Sequence, residues 1–401
     1  MPKHKRIALL IESSRAYGRR LLRGIAQYSR VHGPWVFFHE ERDLGSAVPE
    51  SLAAWRPDGI IARLTGEKMI RQVRALGVPT VDLYHEDETR DIPGVATNQE
   101  SLVARAIDHF LDRGFRQFAY VGYPRVLFSE LRSACFARCL TLRGFDVHRF
   151  VCPRGARSAG LAAIETHVMR YSAKLAQWLR DLPKPVALLA CNDMRGQQVL
   201  TVCDEAGILV PDEVAVLGVD NDDVQCEMCN PSLSSIDLNV ERIGHEAAAL
   251  LDRLFRGEPS PASRILVEPG NVVSRRSTDV LVIADRDVAE AVRVVRDSAC
   301  DGAEIEEILN KLHFSRSTLD RWFHKWLGRT PHEELVRVRL ERVKDLLLTT
   351  QLSMEEVAFR SGFRHVETMY RVVKRATGQT PGDFRAQSGA PAKIDENRQS
   401  S

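Results

Sequence analysis

The sequence predicts a doubly wound α/β region followed by an all-α module in which one helical unit occurs twice. Three observations predict it. Short runs that are apolar throughout alternate with segments of helical length up to about Thr278. After that point apolar residues recur at helical spacing, to about Gln387. Within the helical part, Ile305-Glu306-Glu307-Ile308 is echoed by Met354-Glu355-Glu356-Val357, and Gly328-Arg329-Thr330-Pro331 by Gly378-Gln379-Thr380-Pro381.

The chain has 401 residues, enough for two or three domains that each bury a core. It is 44% hydrophobic, with 56 basic against 54 acidic side chains, which excludes disorder driven by charge. Apolar runs such as Val186 to Cys191 fall far short of the ~20 residues that span a bilayer, so no membrane partner is expected. Ile7 to Ile11 is too short for a secretory signal, and a cytoplasmic protein is expected. The eight cysteines are then reduced thiols by default. Cys226 and Cys229 have the spacing of half a metal site without a second pair nearby, while Cys135 and Cys139 fit one helix face; no metal or cofactor is expected.

The strands are expected at Arg6 to Ile11, Asp58 to Ala62, Val78 to Asp82, Phe118 to Gly122, Val186 to Cys191 and Val214 to Val219. Runs apolar on both faces belong to parallel sheets covered by helices on each side. The helices between them are expected at Gly18 to Arg30, Gln99 to Arg113, Arg132 to Arg143, Met194 to Ala206 and Ile243 to Arg256, which is repeated β-α-β winding. A brief strand is expected at Val280 to Ala284. The expected domains are a sensing region at 1–278, a linker at 279–287, a helical domain at 288–387 and a disordered tail at 388–401.

In the first helical copy, Ile305, Ile308, Leu309 and Leu312 form one face, His313-Phe314-Ser315 interrupts it, and Leu319, Trp322, Phe323 and Trp326 resume it. Ser315 suits an N-cap, because its hydroxyl satisfies amides that the first turn leaves free. In the second, Met354, Val357 and Ala358 lead into Ser361-Gly362-Phe363, then Val366, Met369, Tyr370 and Val373. Each copy reads as helix, turn, helix. Leu335, Val338, Val343, Leu346 and Leu347 predict one long helix holding the copies apart.

Between Lys311 and Gln387 there are fifteen Lys/Arg and nine Asp/Glu, although the whole chain is nearly neutral. Arg316, Arg321 and Lys325 are assigned to the second helix of one unit, and Arg364, Arg371, Lys374 and Arg375 to that of the other. Basic helices of this size suit the major groove, with side chains near the N-terminus on base edges and later ones on phosphates. Two of them one DNA turn apart would address successive grooves.

The motifs Ser315-Arg316-Ser317-Thr318-Leu319, Trp322-Phe323, Arg339-Leu340-Glu341, Ser361-Gly362-Phe363 and Phe384-Arg385, with the two Gly-x-Thr-Pro turns, resemble the AraC/XylS-type DNA-binding domain over about 100 residues. Val373 and Thr368-Met369 depart from its usual pattern. The resemblance implies a double-stranded DNA operator as partner. It implies specificity residues Arg316, Ser317, Thr318 and Arg321 in one unit, and His365, Glu367, Thr368 and Arg371 in the other.

In a doubly wound sheet, ligands bind beyond the carboxyl ends of the strands. There the sequence places Ser13, Ser14, Arg15, Tyr17, Arg63, Asn192, Asp193, Asp220, Asn221 and Asp222. Carboxylates, amides and guanidinium groups in balance suit a neutral ligand dense in hydroxyls. Tyr17 or Phe128 would stack on its C–H face. No Gly-rich phosphate loop, Ser elbow or His-Glu-x-x-His is present, and His332-Glu333-Glu334 follows Pro331 as a helix start, so an enzyme is not expected.

Asp58-Gly59-Ile60-Ile61, Val95-Ala96-Thr97-Asn98, Gly218-Val219-Asp220-Asn221-Asp222, Pro231-Ser232-Leu233-Ser234-Ser235-Ile236 and Val240-Glu241-Arg242-Ile243-Gly244 resemble the periplasmic-binding-like core of LacI/GalR-type repressors. That resemblance implies two lobes, with the chain crossing near Arg116, Ile236 and Pro261. It implies sugar contacts from Arg132, Asp193, Asp220 and Asn221. The order of sensor core, then double reader, is similar to the xylose operon regulator family, with Ala16-Tyr17 and Arg275-Arg276-Ser277-Thr278 in support. The expectation is a sugar-responsive transcription factor, an activator of pentose catabolic genes, with xylose or a related pentose as effector. A homodimer is expected, with RNA polymerase as partner of an activator. The alternatives are a repressor of the same architecture, or a sugar-binding protein whose helical end mediates assembly.

Overall fold

The continuously apolar runs form parallel-paired strands in two sheets. The computed structural model describes residues 4–84, 91–152, 161–259, 261, 264–280, 282 and 285–387. Two units are resolved by their internal contacts: Met1–His109 with Phe115–Val280, and Phe110–Gly114 with Leu281–Ser401.

In the first lobe β1 (Arg6–Leu10), α1 (Ala16–His32), β2 (Val36–Phe38), α2 (Ser51–Trp55), β3 (Gly59–Ala62), α3 (Gly66–Arg74), β4 (Thr80–Asp82), β5 (Val95–Thr97) and α4 (Gln99–Leu111) follow in order. The sheet runs β2-β1-β3-β4, and Asp82 bridges to Gly94 just before β5. The second lobe contains β6 (Phe118–Val121), α5 (Leu127–Thr141), β7 (Val147–Arg149), α6 (Leu161–Met169), α7 (Ser172–Asp181), β8 (Val186–Ala190), α8 (Asp193–Ala206), β9 (Val214–Asp220), α9 (Asp223–Met228) and β10 (Ser234–Asp237). Helix α10 (Val240–Phe255) packs on α1, β11 (Ile265–Val267) pairs with β5, and β12 (Val272–Val273) pairs antiparallel with β10. The second sheet is therefore β12-β10-β9-β8-β6-β7. Connection order reverses beside β1 in one sheet and beside β6 in the other, which opens a crevice at the carboxyl ends of both.

The chain crosses between lobes three times. The first crossing lies at Arg116 as expected, and the second follows β10 directly. The third is a correction. Because Ile265–Val267 still pairs with β5, the chain changes lobe at 268–271, not near Pro261.

Helices α1 and α10 approach closely because glycines face backbone at the contact. A Cβ on Gly24 would lie 2.0 Å from the Glu241 carbonyl oxygen, and one on Gly244 would lie 2.2 Å from that of Leu21. The expected helix at Arg132 begins five residues earlier, at Leu127, and Cys135 and Cys139 share its face. The short strands β2, β7 and β12 carry exposed residues and are not among the expected strands; Val36–Phe38 is nonetheless apolar throughout, whereas Val147–Arg149 is not. Of Val280 to Ala284 only Val280 and Val282 are described, neither in a strand. The expected tail at 388–401 lies outside the described residues. No helix among the described residues is long and apolar enough to cross a membrane.

The second unit is helical: α11 (Arg286–Asp297), α12 (Ile305–Leu309), α13 (Arg316–Leu327), α14 (Pro331–Thr349), α15 (Met354–Arg360), α16 (Val366–Thr377) and α17 (Pro381–Gln387). The repeated motifs are repeated caps. The Ser353 hydroxyl accepts from the Glu356 amide while Glu356 accepts from the Ser353 amide, and Glu304 and Glu307 form the matching box ahead of α12. Thr330 with Glu333 and Thr380 with Asp383 start α14 and α17 in the same way. Gly328 and Gly378 end α13 and α16 at φ of 70° and 76°.

Each copy has its own core. Val288, Val292, Ile308, Leu319, Phe323 and Leu335 are buried together, as are Val343, Leu347, Val357, Met369 and Val373. The expected long helix α14 therefore serves one core with its first half and the other with its second. Tyr370, expected on the apolar face, is instead 38% exposed. Beneath α14, fully buried Glu334 accepts from Arg296 at 2.6 Å and Arg337 at 2.8 Å, with Arg329 at 3.5 Å. Asp112, from the 110–114 segment of this unit, pairs with Arg337 at 2.8 Å and with Arg329. Burial alone would push the Glu334 carboxyl up, but the arginines hold it down at about 2.

Candidate effector cleft and nucleic-acid interface

Between the lobes, residues at the carboxyl ends of strands from both sheets line a cleft enclosing about 640 Å³, including the space open at its mouth. Its polar wall is Glu12, Arg15, Arg63, Gln99, Arg132, Asn192 and Asp220, and its aromatic wall is Tyr17, Tyr84 and Phe128. This is the composition of a small-molecule site: apolar faces with a few polar groups that fix orientation.

Sequence position explains each placement. Glu12 and Arg15 follow β1, Arg63 follows β3, Asn192 follows β8, and Asp220 ends β9. The Asn192 side chain accepts from the Arg195 amide and caps α8, so one residue starts the helix and faces the cleft. Arg63 pairs with Glu12 and sits 4.6 Å from the Tyr17 ring centroid and 5.3 Å from that of Tyr84. Glu12 Oε2 and Arg63 Nε are buried without a hydrogen-bond partner among the described residues. Both atoms are closed off from solvent, and the Glu12–Arg63 pair supports the cleft wall from within. Arg132 donates to the Cys191 carbonyl and, at 3.2 Å, to Gln99, with Phe128 below it. Arg15 reaches Glu165 on α6 through two bonds of 2.8 and 2.6 Å.

Asp220 is held at φ of 116°, a backbone region that non-glycine residues rarely enter. Loss of water raises its carboxyl to about 6, although Arg132, Arg63, Arg15 and Arg20 pull the other way.

Of the ligand-contacting residues that the sequence predicts, Arg15, Tyr17, Arg63, Phe128, Arg132 and Asp220 come together on the wall. Asp193 and Asn221 stand behind it. Asp193 is buried, accepting from Ser235 Oγ at 2.5 Å and from the Asp222 amide at 2.8 Å. Burial and the neighbouring Asp220 push its carboxyl well up. Asn221 accepts from Arg275 at 3.1 Å. Both brace the loop that carries Asp220. Sequence reasoning missed Glu12, Gln99, Tyr84 and Glu165; only Glu12 had a readable signal, as the first polar residue after β1.

In the helical unit Arg316, Ser317, Thr318, Arg321 and Lys325 lie on α13, whose cap Ser315 accepts from the Thr318 amide at 3.2 Å. Arg316, Ser317, Arg321 and Lys325 are exposed and Thr318 partly so. Glu367, Thr368, Arg371 and Lys374 lie on α16, after its cap His365, and Arg371 donates to Thr368 at 3.3 Å. Each copy therefore presents one helix with a basic, polar outer face over an apolar inner one. Arg364 is a correction. It lies in the turn before α16 and ties back to the first copy, bonding Glu307 at 2.9 Å and the Gly302 carbonyl at 3.1 Å.

A two-lobed cleft sensor joined in one chain to a double helix-turn-helix reader defines a ligand-responsive DNA-binding regulator of transcription. Residues 6–100 match a family described as the XylR N-terminal domain, 107–278 a periplasmic binding protein-like domain and 308–387 a helix-turn-helix domain. The chain is 30% identical over 391 residues to the xylose operon regulatory protein of Escherichia coli strain K12, covering 96% of this chain and 97% of that one. It is 28% identical to the protein of that name from Haemophilus influenzae, covering 96% and 98%. A solved structure described as a xylose-binding transcription activator aligns with a TM-score of 0.60 at 29% identity, over 96% of this chain and 98% of the other. The operator-bound lac repressor dimer shares the fold over 69% of this chain and 95% of its own, with a TM-score of 0.54 at 20% identity. The chain belongs to the xylose operon regulator family, and is a sugar-responsive, DNA-binding transcriptional regulator rather than an enzyme.

Proposed function

We propose that the cleft takes xylose or a closely related pentose, and that the sugar turns the protein into an activator of pentose catabolic genes. The observation that supports this reading is the convergence of Arg15, Arg63, Arg132 and Asp220 with Tyr17, Tyr84 and Phe128 on the wall of one cleft. A pentose presents hydroxyls that both donate and accept, and a C–H face for Tyr17 or Phe128. Arg15, Arg63, Arg132 and Asp220 hold the hydroxyls, while Asp193 and Asn221 fix the Asp220 loop. The names of the relatives support the sugar and the sign of regulation.

On DNA, Arg316, Ser317, Thr318 and Arg321 read one site and His365, Glu367, Thr368 and Arg371 the next, with Lys325 and Lys374 on phosphates. The protein works in the cytoplasm as a homodimer, and contacts RNA polymerase from the operator. A sugar can shift operator binding only through different affinities for two states of the sensor.

The test is calorimetric titration of the full chain with xylose, arabinose, ribose and glucose, followed by operator binding at one fixed salt concentration with and without sugar. Pentose binding that tightens operator binding supports the proposal. Absence of heat with every sugar, or unchanged operator affinity at saturation, overturns it. In a reconstituted transcription assay, sugar-dependent synthesis supports activation, and sugar-relieved inhibition replaces it with repression.

A further inference from the structure

We propose that Arg20, which lies outside the cleft wall, is a positioning residue for the effector. It fixes the backbone of Asp220 and ties it to the crossings between the lobes. The inference rests on the reading of Asp220 as a sugar ligand.

Arg20 projects from α1, and its side chain is 20% exposed. Its guanidinium serves three partners from separate parts of the chain. Nε bonds both Glu241 carboxylate oxygens at 2.9 Å, Nη2 bonds both Asp237 oxygens at 3.0 Å, and Nη1 donates to the Asp220 carbonyl at 3.2 Å. Glu241 opens α10 in the first lobe, Asp237 ends β10 at the second crossing, and Asp220 ends β9 in the second lobe. A planar fork with five donors can hold all three at once; a lysine has no such geometry.

Asp237 extends the tie to the third crossing. Its carbonyl accepts from the Gly270 amide at 2.8 Å, its amide donates to the Asn271 carbonyl at 3.2 Å, and its carboxylate accepts from the Asn239 amide at 2.6 Å. Gly270 lies so close that a Cβ there would sit 3.2 Å from that of Asp237. Both crossings therefore meet at Asp237, the third through its backbone, and Arg20 links its carboxylate to the backbone of the residue that faces the sugar.

Asp220 needs such a hold. At φ of 116°, followed by Asn221 at 51°, its backbone is kept in a conformation an L-residue leaves when it is free to do so. Arg20 grips the carbonyl of that same residue. Without the grip the carboxylate loses its aim into the cleft, although every cleft-lining side chain is still present.

The experiment is a double-mutant cycle on the full chain with xylose as the probe, read by calorimetry. The variants are Arg20→Lys, Asp220→Asn and the pair. Arg20→Lys is expected to weaken xylose binding roughly tenfold, and by less than about twofold when Asp220→Asn is already present, because an effect routed through Asp220 vanishes once that ligand is removed. Unchanged affinity in Arg20→Lys, or equal losses in both backgrounds, overturns the proposal. If Arg20→Lys does not fold, Glu241→Gln takes its place in the cycle with the same expectation. Failure of the underlying reading looks different. In that case the unaltered protein gives no heat with xylose, or Asp220→Asn binds it with full strength.

Discussion

Arg15 and Glu165 join the two lobes as a two-bond ion pair, 2.8 and 2.6 Å. One comes from the start of α1 in the first lobe, the other from α6 in the second. Glu165 is 8% exposed in its side chain and Arg15 29%, so water screens the pair only in part. Such a bond favours the closed arrangement of the lobes. Glu165→Gln keeps the shape and removes the charge. It is expected to weaken sugar binding by about 1–2 kcal/mol, roughly five- to thirtyfold. Calorimetry with the preferred pentose checks this; affinity unchanged within twofold would show that the pair has no part in closure.

Asp220 predicts a pH dependence. Its carboxyl titrates near 6 in the folded protein instead of 3.8, so it is ionised above about 6 and protonated below. A sugar hydroxyl donates to the ionised form, and sugar affinity should fall as pH drops from 7.5 through 6 to 5. Stability moves the other way. Between 6 and 3.8 the folded chain holds a proton that the unfolded chain releases, so this group's contribution to stability rises on acidification. Asp193, raised by the same burial and by Asp220, acts in the same direction. Titrations at four pH values check the first effect, and a rise in affinity on acidification would contradict it.

The outer faces of α13 and α16 predict two kinds of loss. Arg371→Ala, beside Thr368 near the start of α16, should cost roughly 1–3 kcal/mol of operator affinity and relax preference at one base position. Lys374→Ala, one helical turn further on, should weaken all sequences alike and reduce the salt slope by about 1. Binding measured at several salt concentrations separates them. Full-strength operator binding by Arg371→Ala would remove α16 as a reader.

The buried cluster under α14 predicts a stability effect without any ligand. Glu334 is ionised down to about pH 2 because three arginines surround it. Glu334→Gln leaves those arginines short of a counter-charge and should destabilise the helical unit by about 3–5 kcal/mol. A thermal melt followed by circular dichroism reads this, and an unchanged melting profile would show that Asp112 alone balances the cluster.

Much of this architecture was legible because all strands of the two main sheets except β12 pair in parallel, and their inner strands are buried. Runs such as Val186 to Ala190 are apolar at every position, and the ligand rule for strand ends then locates Arg15, Arg63 and Asp220 without side-chain detail. The same rule does not separate the cleft wall from the residues behind it, where Asp193 and Asn221 lie. A residue next to a strand end points either into the crevice or behind it, and that choice depends on Ser235 and Arg275, distant in sequence. Glu165 was hidden for a related reason, since no local pattern marks a residue that completes an ion pair 150 positions away. In the helical unit the repeated motifs were plain, because capping chemistry is local. Arg364 was misassigned because its partners, Glu307 and Gly302, lie some 60 positions earlier, in the other copy.

Helix α14 gives one half of its apolar face to each core, so the two reading helices are built on opposite ends of a single rigid rod. A rod does not stretch to suit its target. Each base pair inserted between the two recognition motifs turns the second by about 34°, on a duplex of 10 to 10.5 base pairs per turn. With α13 and α16 as the proposed readers, promoters served by this protein are expected to be constrained in phase more strictly than in letter: a changed base would cost one contact, whereas a changed length would cost a whole reader.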